Sequence, residues 1–446
     1  MSFLAYDVRD GRGKNQTRRG RAMTDWSRRD VLSAVAGGLA AAELPRAVSG
    51  AGTPDKNAPK HPMRIRTITA GVAVSGLDDV GALERALGRL QRVRQRMEGA
   101  GYEVQTIRVA TTPVVAALDA GQRRLALGAI EKFDSTVAAA DALLSIGPIL
   151  TADRFDPDLG AWAADAARRT KRMSFSVTVA SEERGVHRSA VRAAAQVIDD
   201  LSRLDISGAA NFRFAAAASV PAGTPFFPVA FHQGPDSLAI GLESAGLFPT
   251  AFEGAADPDV AAARLRQVME AQLGPVNAMG SQLAAAEHLQ YLGIDTSPAP
   301  GMDRSIGAAI ESLTRAPFGQ VSTLAACAAI TAVLKSLSVR TCGYCGLMLP
   351  VLEDPVLARR AEERRYGIQE LLLYSTVCGT GLDVVPIPGN TGVDRLAKII
   401  ADVATLASRL RKPLSARLFP VPGKAAGDIV RFDDARLAQC RVFEVD

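Results

Sequence analysis

The sequence predicts an α/β fold, a largely parallel sheet covered by helices, and three observations lead there. Short apolar or alternating runs recur along the chain, stretches with helical spacing separate most of them, and Gly, Pro or small polar residues stand at the joins. Strand and helix in alternation is the pattern of crossover units, which lay successive strands side by side in parallel.

The folded part begins near Met63 with MRIRTITAGVAV, strand-like because Ile65, Ile68 and Val72 sit among β-branched neighbours. A helix follows in LDDVGALERALGRLQRVRQRMEGAGY, where Leu77, Val80, Leu83, Leu87 and Leu90 fall on one face before a Gly stop. EVQTIRVAT, LLSIGPIL, MSFSVTVA, FRFAAAAS and LDVVPIP read as further strands. Between them DAGQRRLALGAIEKFDSTVAAADAL, GVHRSAVRAAAQVIDDLSRL, PDVAAARLRQVMEAQLGPV and TGVDRLAKIIADVATLASRLRK read as helices. With no internal repeat and no interior linker, residues 63–446 are expected to form a single domain, long enough for a substantial core.

Residues 1–62 read differently. Nine of the 52 basic and five of the 47 acidic residues lie in the first fifty positions, leaving 43 against 42 in the remainder. The remainder is almost neutral, so nucleic acid is not an expected partner. In SRRDVLSAVAGGLAAA, Arg28 and Arg29 precede a mildly apolar run too short to span a bilayer, with small residues after it. That order resembles a twin-arginine export signal, followed by a Pro- and Gly-rich tether over 43–62, and it predicts a periplasmic or extracellular protein with no stable membrane span. A disordered basic arm is the competing reading. The twin-arginine route carries folded proteins, often with a cofactor in place, so it favours a metal- or cofactor-containing product, the cofactor being unknown and a metal ion one candidate.

Five cysteines are too few and too scattered for a disulfide scaffold. Cys342 and Cys345 have C-x-x-C spacing, for which packed or free thiols come first, a local disulfide second and a metal third, since no second pair supplies four zinc ligands. The sequence has no G-x-S-x-G elbow, Walker loop, H-E-x-x-H or G-x-G-x-x-G after a strand.

The candidates for chemistry are therefore isolated residues. In TVCGTGLDVVPIPGNTG, Cys378 stands on a bend with Gly379 and Gly381, which permit close approach by another group. Asp383 begins the following strand, and Asn390 or Thr391 is placed to cap the next helix and offer an anion site. His232, between an aromatic-proline segment and a Gly turn, is a candidate base, acid or ligand, or a loop histidine making one backbone hydrogen bond. Asp295 reads first as a turn cap, His187 as a solvated residue of a first helical turn, and Lys424 as part of a second Pro-Gly loop.

Several of these stretches taken together, MRIRTITAGVAV, FFPVAFHQGPDSLAIGLE, GLMLPVLEDPVLARR, TVCGTGLDVVPIPGNTG and LFPVPGKAAGD, resemble the family known as DUF711 or UPF0210 over nearly the whole chain from Met63. That family is similar in structure to pyruvate formate-lyase, which implies a ten-stranded α/β barrel around a cysteine-bearing finger loop, with Cys378 on the inner loop. No glycine follows Gly427, so the glycyl radical site of those enzymes is missing. The resemblance brings no reaction with it. The leading expectation is a non-radical lyase or hydrolase acting on a small carbonyl or carboxylate compound, with Cys378, Asp383 and His232 catalytic and Gly379, Gly381, Asn390, Thr391, Asp295 and Lys424 binding the ligand. A metal-dependent oxidoreductase and a non-catalytic small-ligand-binding protein are the alternatives, and each is compatible with a homo-oligomer.

Overall fold

The architecture is a ten-stranded mixed sheet whose convex face is covered by helices. The computed structural model describes residues 61–255 and 257–445, which belong to one compact unit, so the stretch read as an export signal lies outside the described residues. In chain order the strands are β1 (Arg64–Val72), β2 (Ile107–Thr111), β3 (Ala142–Leu150), β4 (Met173–Ser181), β5 (Gly185–Val186), β6 (Phe214–Ala218), β7 (Ser237–Glu243), β8 (Gln290–Pro298), β9 (Gly381–Pro388) and β10 (Leu414–Val421). The sheet runs β8-β7-β1-β2-β3-β4-β6-β10-β9, with β5 paired to β4.

Six neighbouring pairs are parallel, and helical crossovers explain why. α1 (Val80–Gly99) joins β1 to β2, α2 (Ala120–Ala139) joins β2 to β3, α3 (Leu159–Arg169) joins β3 to β4, and α4 (Arg188–Ser202) leads to β6. The long helix α5 (Pro258–Ala286) returns β7 to β8, and after α6 (Ile306–Thr314), α7 (Thr323–Lys335), α8 (Pro355–Glu362) and α9 (Ile368–Ser375), helix α10 (Gly392–Leu410) joins β9 to β10. Each presents one apolar face. On α1 that face is Leu83, Leu87, Leu90, Val93 and Met97, all buried, each worth about 1.5–3 kcal/mol for its removal from water.

Two steps along the ladder, β1 with β7 and β6 with β10, are antiparallel within a sheet that is largely parallel, as expected. They arise where the connections are irregular segments, 219–236 between β6 and β7 among them, so no right-handed crossover fixes the strand direction. β8 and β9 are the two ends of the ladder, and among the described residues they do not pair with each other. Segment 341–350 forms one β-bridge with each of them, Thr341 beside Ile294 and Pro350 beside Asp383.

The strand alternation sorts the two faces. Ile68, Ala70 and Val72 of β1 and Leu414, Ala416 and Leu418 of β10 join the helix-covered core. Their neighbours Thr67, Thr69, Ser415 and Arg417, with Arg108, Ser145, Ser174, Ser176 and Asp383 from other strands, take the opposite face and are buried as well. Polar residues are tolerated there because segments 219–236 and 341–350 lie against that face and supply partners: the Ser145 hydroxyl donates to the Pro228 and Ala230 carbonyls at 3.3 and 2.8 Å. Phe226 and Tyr344 meet edge to face at 4.9 Å and pack with Ala215, Ala217 and Val229 in a separate apolar cluster.

The sheet is strongly curled. β1 and β10 stand five positions apart, about 24 Å in a flat sheet. Yet Glu353, just beyond the 341–350 segment, accepts from Arg417 of β10 at 3.0 Å and lies 3.6 Å from Arg66 of β1. Side chains standing perpendicular to a flat sheet would not converge on one carboxylate.

Candidate functional site

The charged centre of the concave face is built around β9 and β10. Their parallel register is regular at Ala416 with Leu382 and at Leu418 with Val385, so Arg417 alone faces two residues, Asp383 and Val384. This bulge puts Val384 at φ 46°, a region that β-branched residues rarely occupy. It also aims the Asp383 carboxylate at Arg417, whose Nε donates to Oδ1 at 2.5 Å. Both side chains are essentially shut off from water, and Oδ2 of Asp383 has no partner among the described residues. Burial pushes the Asp383 carboxyl above its usual range, against the pull of Arg417 and with the repulsion of Glu353 adding to the rise.

Aromatic side chains roof this pair. The Arg417 guanidinium lies 5.1 Å from the centre of the Phe212 ring and 6.0 Å from that of Phe226. Tyr344 is buried beside Ser415, Asp383 and Arg417, its hydroxyl without a well-formed hydrogen bond, and burial holds its phenol far above the ordinary value. From Arg417 the charges continue outward through Glu353 to Arg66, then to Glu243, which also accepts from Arg64 at 2.7 Å and Gln105 at 2.7 Å. A carboxylate with a lone pair free, a guanidinium, a phenol and a strained bulge together can move a proton to or from a small ligand and balance the charge that develops.

The sequence-predicted residues do not all gather there. Asp383 does. Cys378 lies five residues earlier, buried in the apolar layer with Cys327, its sulfur accepting from the Gly381 amide at 3.4 Å and its carbonyl from Lys412 Nζ at 2.5 Å. Gly379 serves a crossing of chains: its amide donates to the Leu347 carbonyl at 2.7 Å, and a Cβ on it would come within 2.6 Å of Gly346. Gly381 likewise packs on the backbone of Ser415.

Asp295 is buried on β8 and accepts from the amides of Ser297, Tyr344 and Cys345 at 3.0, 3.2 and 3.0 Å. It therefore caps its own turn at Ser297 and also clamps the segment that carries Tyr344. His232 is buried at the far end of β1, its ring over Gly71, with Nε2 2.8 Å from the Gly234 carbonyl and Nδ1 3.4 Å from Ser237 Oγ. Burial depresses its pKa, and it sits about 17 Å along β1 from the level of Arg66. His187 is not solvated: it is buried at the start of α4, with Nε2 3.1 Å from Ser181 Oγ.

The capping expectation at α10 is corrected. Thr391 stands at the cap position, but its hydroxyl donates back to the Pro388 carbonyl at 2.6 Å and makes no cap bond, while Asn390 is exposed. The Pro-Gly loops do touch, through the Gly389 amide and the Lys424 carbonyl at 3.1 Å. Lys424 then lines an open surface groove of about 510 Å³ with Ile206, Val421 and Ile429, at the end of β10 beyond Arg417. All five thiols are free, Cys345 Sγ resting 3.2 Å from the Cys342 carbonyl oxygen. Among the described residues no three His, Cys, Asp or Glu side chains converge as metal ligands, and no helix is long and apolar enough to cross a membrane.

Residues 58–433 match the profile of the family described as "Uncharacterised ACR (DUF711)". The chain belongs to the DUF711 family. It is similar to a UPF0210 protein of Desulforudis audaxviator, 28% identical over 82% of this chain and 88% of the relative. A UPF0210 protein of Pyrobaculum islandicum is 29% identical over 81% and 83%, and one of Pyrobaculum arsenaticum 30% identical over 74% and 76%.

In this DUF711 chain, sequence reasoning passed over Arg417, Glu353, Tyr344 and Arg108. Two of them carried a readable signal: Arg417 interrupts the apolar strand LSARLFPV and Arg108 interrupts TIRVAT, each a charge in a run that must be buried on both faces. Tyr344 lay inside CGYCG, where the cysteines drew the reading, and Glu353 inside a stretch noted only for its resemblance.

Proposed function

We propose that this protein is an enzyme of the lyase or hydrolase type that acts on a small carbonyl or carboxylate compound by proton transfer on the concave face, with Asp383 as the proton carrier. The observation that carries this is the Asp383–Arg417 pair: a fully buried carboxylate with one oxygen engaged and one unpartnered, on a bulge that costs backbone strain. A buried acid whose carboxyl is raised by burial holds a proton more readily than an exposed one and so suits the role of proton carrier, and Arg417 beside it would stabilise negative charge on the ligand. The curled sheet, with Glu353 shared between β1 and β10, supports reading the concave face as the inside of a barrel whose wall is completed by segment 341–350, as the likeness to pyruvate formate-lyase implies.

The apolar setting of Cys378 favours Asp383 over the thiol as the reacting group. The test is proton NMR of the purified protein in deuterated water with a panel of small hydroxy- and keto-carboxylates, following hydrolysis, elimination or exchange of carbon-bound hydrogen. Asp383→Asn is expected to lower the rate at least about 100-fold, the low end for loss of a general acid or base, while Cys378→Ser keeps most of it. The reverse result would move the centre to the thiol.

The paired arginines ahead of a short apolar run support export by the twin-arginine route. Replacing Arg28 and Arg29 together by Lys is expected to leave the protein inside the cell on fractionation; unchanged export would remove this proposal.

A further inference from the structure

Arg108 is 3% exposed, and among the described residues no carboxylate lies within ion-pair distance of it. Its Nη1 donates to a single neutral acceptor, the Pro225 carbonyl at 2.8 Å, and its Nε has no partner. Phe227 stands 5.5 Å from the guanidinium carbon, and Arg66 nearby adds like charge. A buried cation with one neutral hydrogen bond is a costly arrangement, which an anion relieves. The burial, with the repulsion from Arg66, lowers the Arg108 pKa to about 9, the direction expected where the matching negative charge is missing.

Arg108 is covered by the segment that carries its one acceptor. Pro225, Phe226 and Phe227 belong to a segment bounded by Gly223 at φ 80° and Gly234 at φ 87°, both in the region that favours glycine. The Gly223 amide bonds the Phe231 carbonyl at 2.8 Å, closing the segment on itself. Thr69, the register partner of Arg108 on β1, borders with Ala110, Thr224 and Leu292 a crevice too tight for a water molecule.

We propose that Arg108 is an anion-binding subsite for the carboxylate group of a small ligand, and that the 223–234 segment is the plug which the ligand displaces. The planar guanidinium matches a carboxylate, which takes two parallel N–H donors where the Pro225 carbonyl takes one. This rests on reading the concave face as the reaction site, and it adds which end of the substrate is held there.

Binding, rather than turnover, tests it. Titrate the whole protein calorimetrically with acetate, malonate and inorganic phosphate, and follow hydrogen exchange of residues 223–234 in parallel. Malonate or acetate should bind, exchange in the 223–234 segment should change on binding, and Arg108→Met should weaken binding at least about 10-fold, as expected for loss of a charge-assisted contact. Arg108→Lys, which keeps the charge without the fork, should fall between and serves if the methionine variant does not fold. Undiminished binding in both variants, binding of phosphate alone, or binding to the wild type of none of the three probes at millimolar concentration would each overturn the subsite. Loss of turnover in Asp383→Asn with these binding results unchanged would leave the two readings separately judged.

Discussion

Replacing Arg417 by methionine is expected to destabilise the protein by about 3–5 kcal/mol at neutral pH, the usual penalty for stranding one member of a buried ion pair. Asp383 loses its partner at 2.5 Å, and Glu353 loses one of two, at 3.0 Å, keeping Arg66 at 3.6 Å; Asp383 cannot turn to water without opening the concave face. The deficit should depend on pH with a definite sign. In the wild type, Arg417 pulls the Asp383 carboxyl down against the rise caused by burial; without Arg417 only the rise and the repulsion from Glu353 remain. The variant's folded state then binds a proton more tightly than its unfolded state. Its stability is retained below the unfolded carboxylate value and lost as pH rises through the elevated folded one, so the gap to the wild type should be smallest below roughly pH 4 and widen as pH rises above it. Urea melts across that range measure it. Asp383→Asn in the same chain should recover part of the loss, and a double-mutant cycle with no coupling would show that the two side chains do not act as a pair.

Asp354→Ala is expected to cost about 3–4 kcal/mol, because this single carboxylate caps two helices at once. It accepts from the amides of Val356 and Leu357 at the start of α8, at 2.9 and 3.1 Å. It also accepts from the hydroxyl of Ser305 and the amides of Ile306 and Gly307 at the start of α6, at 2.6, 2.7 and 3.1 Å. Asp354→Asn, which keeps one acceptor oxygen, should lose about half as much, in line with the partial cover one amide gives. A melting temperature unchanged in Asp354→Ala would mean that both helix ends find other partners.

The crossover elements were legible because α1, α2, α4 and α10 each show an apolar stripe bounded by turn residues, and the intervening strands are short apolar runs. What local pattern does not encode is strand direction where a connection is irregular, so it does not say where in a largely parallel sheet the antiparallel steps of β1 with β7 and β6 with β10 fall. The site was half legible. Asp383 could be picked out as an acid in the strand LDVVPIP, but its partner comes from a strand 34 residues on and its neighbour Tyr344 from a segment clamped by Asp295 of β8. The thiol of Cys378 drew attention through the glycines after it, whose purpose in the structure is the close crossing of Gly379 with Gly346 and the packing of Gly381 on β10.

The sharing of Glu353 between Arg66 and Arg417 has a consequence for the order in which the chain acquires its structure. The block β1-β2-β3-β4-β6 is contiguous in the sheet and is assembled from crossovers near in sequence, so it can form early, from the first half of the folded region. The pairs β7-β8 and β9-β10 then attach to its opposite flanks. Until the second of these arrives, Arg66 has no Glu353 to meet and the polar lining of the half-built sheet stands open to water, where hydroxyls and guanidinium groups are comfortable. Hydroxyl-bearing rather than aliphatic residues on that lining thus keep a partly synthesised chain from presenting two sticky faces, at a stage when only one of them has helices to cover it.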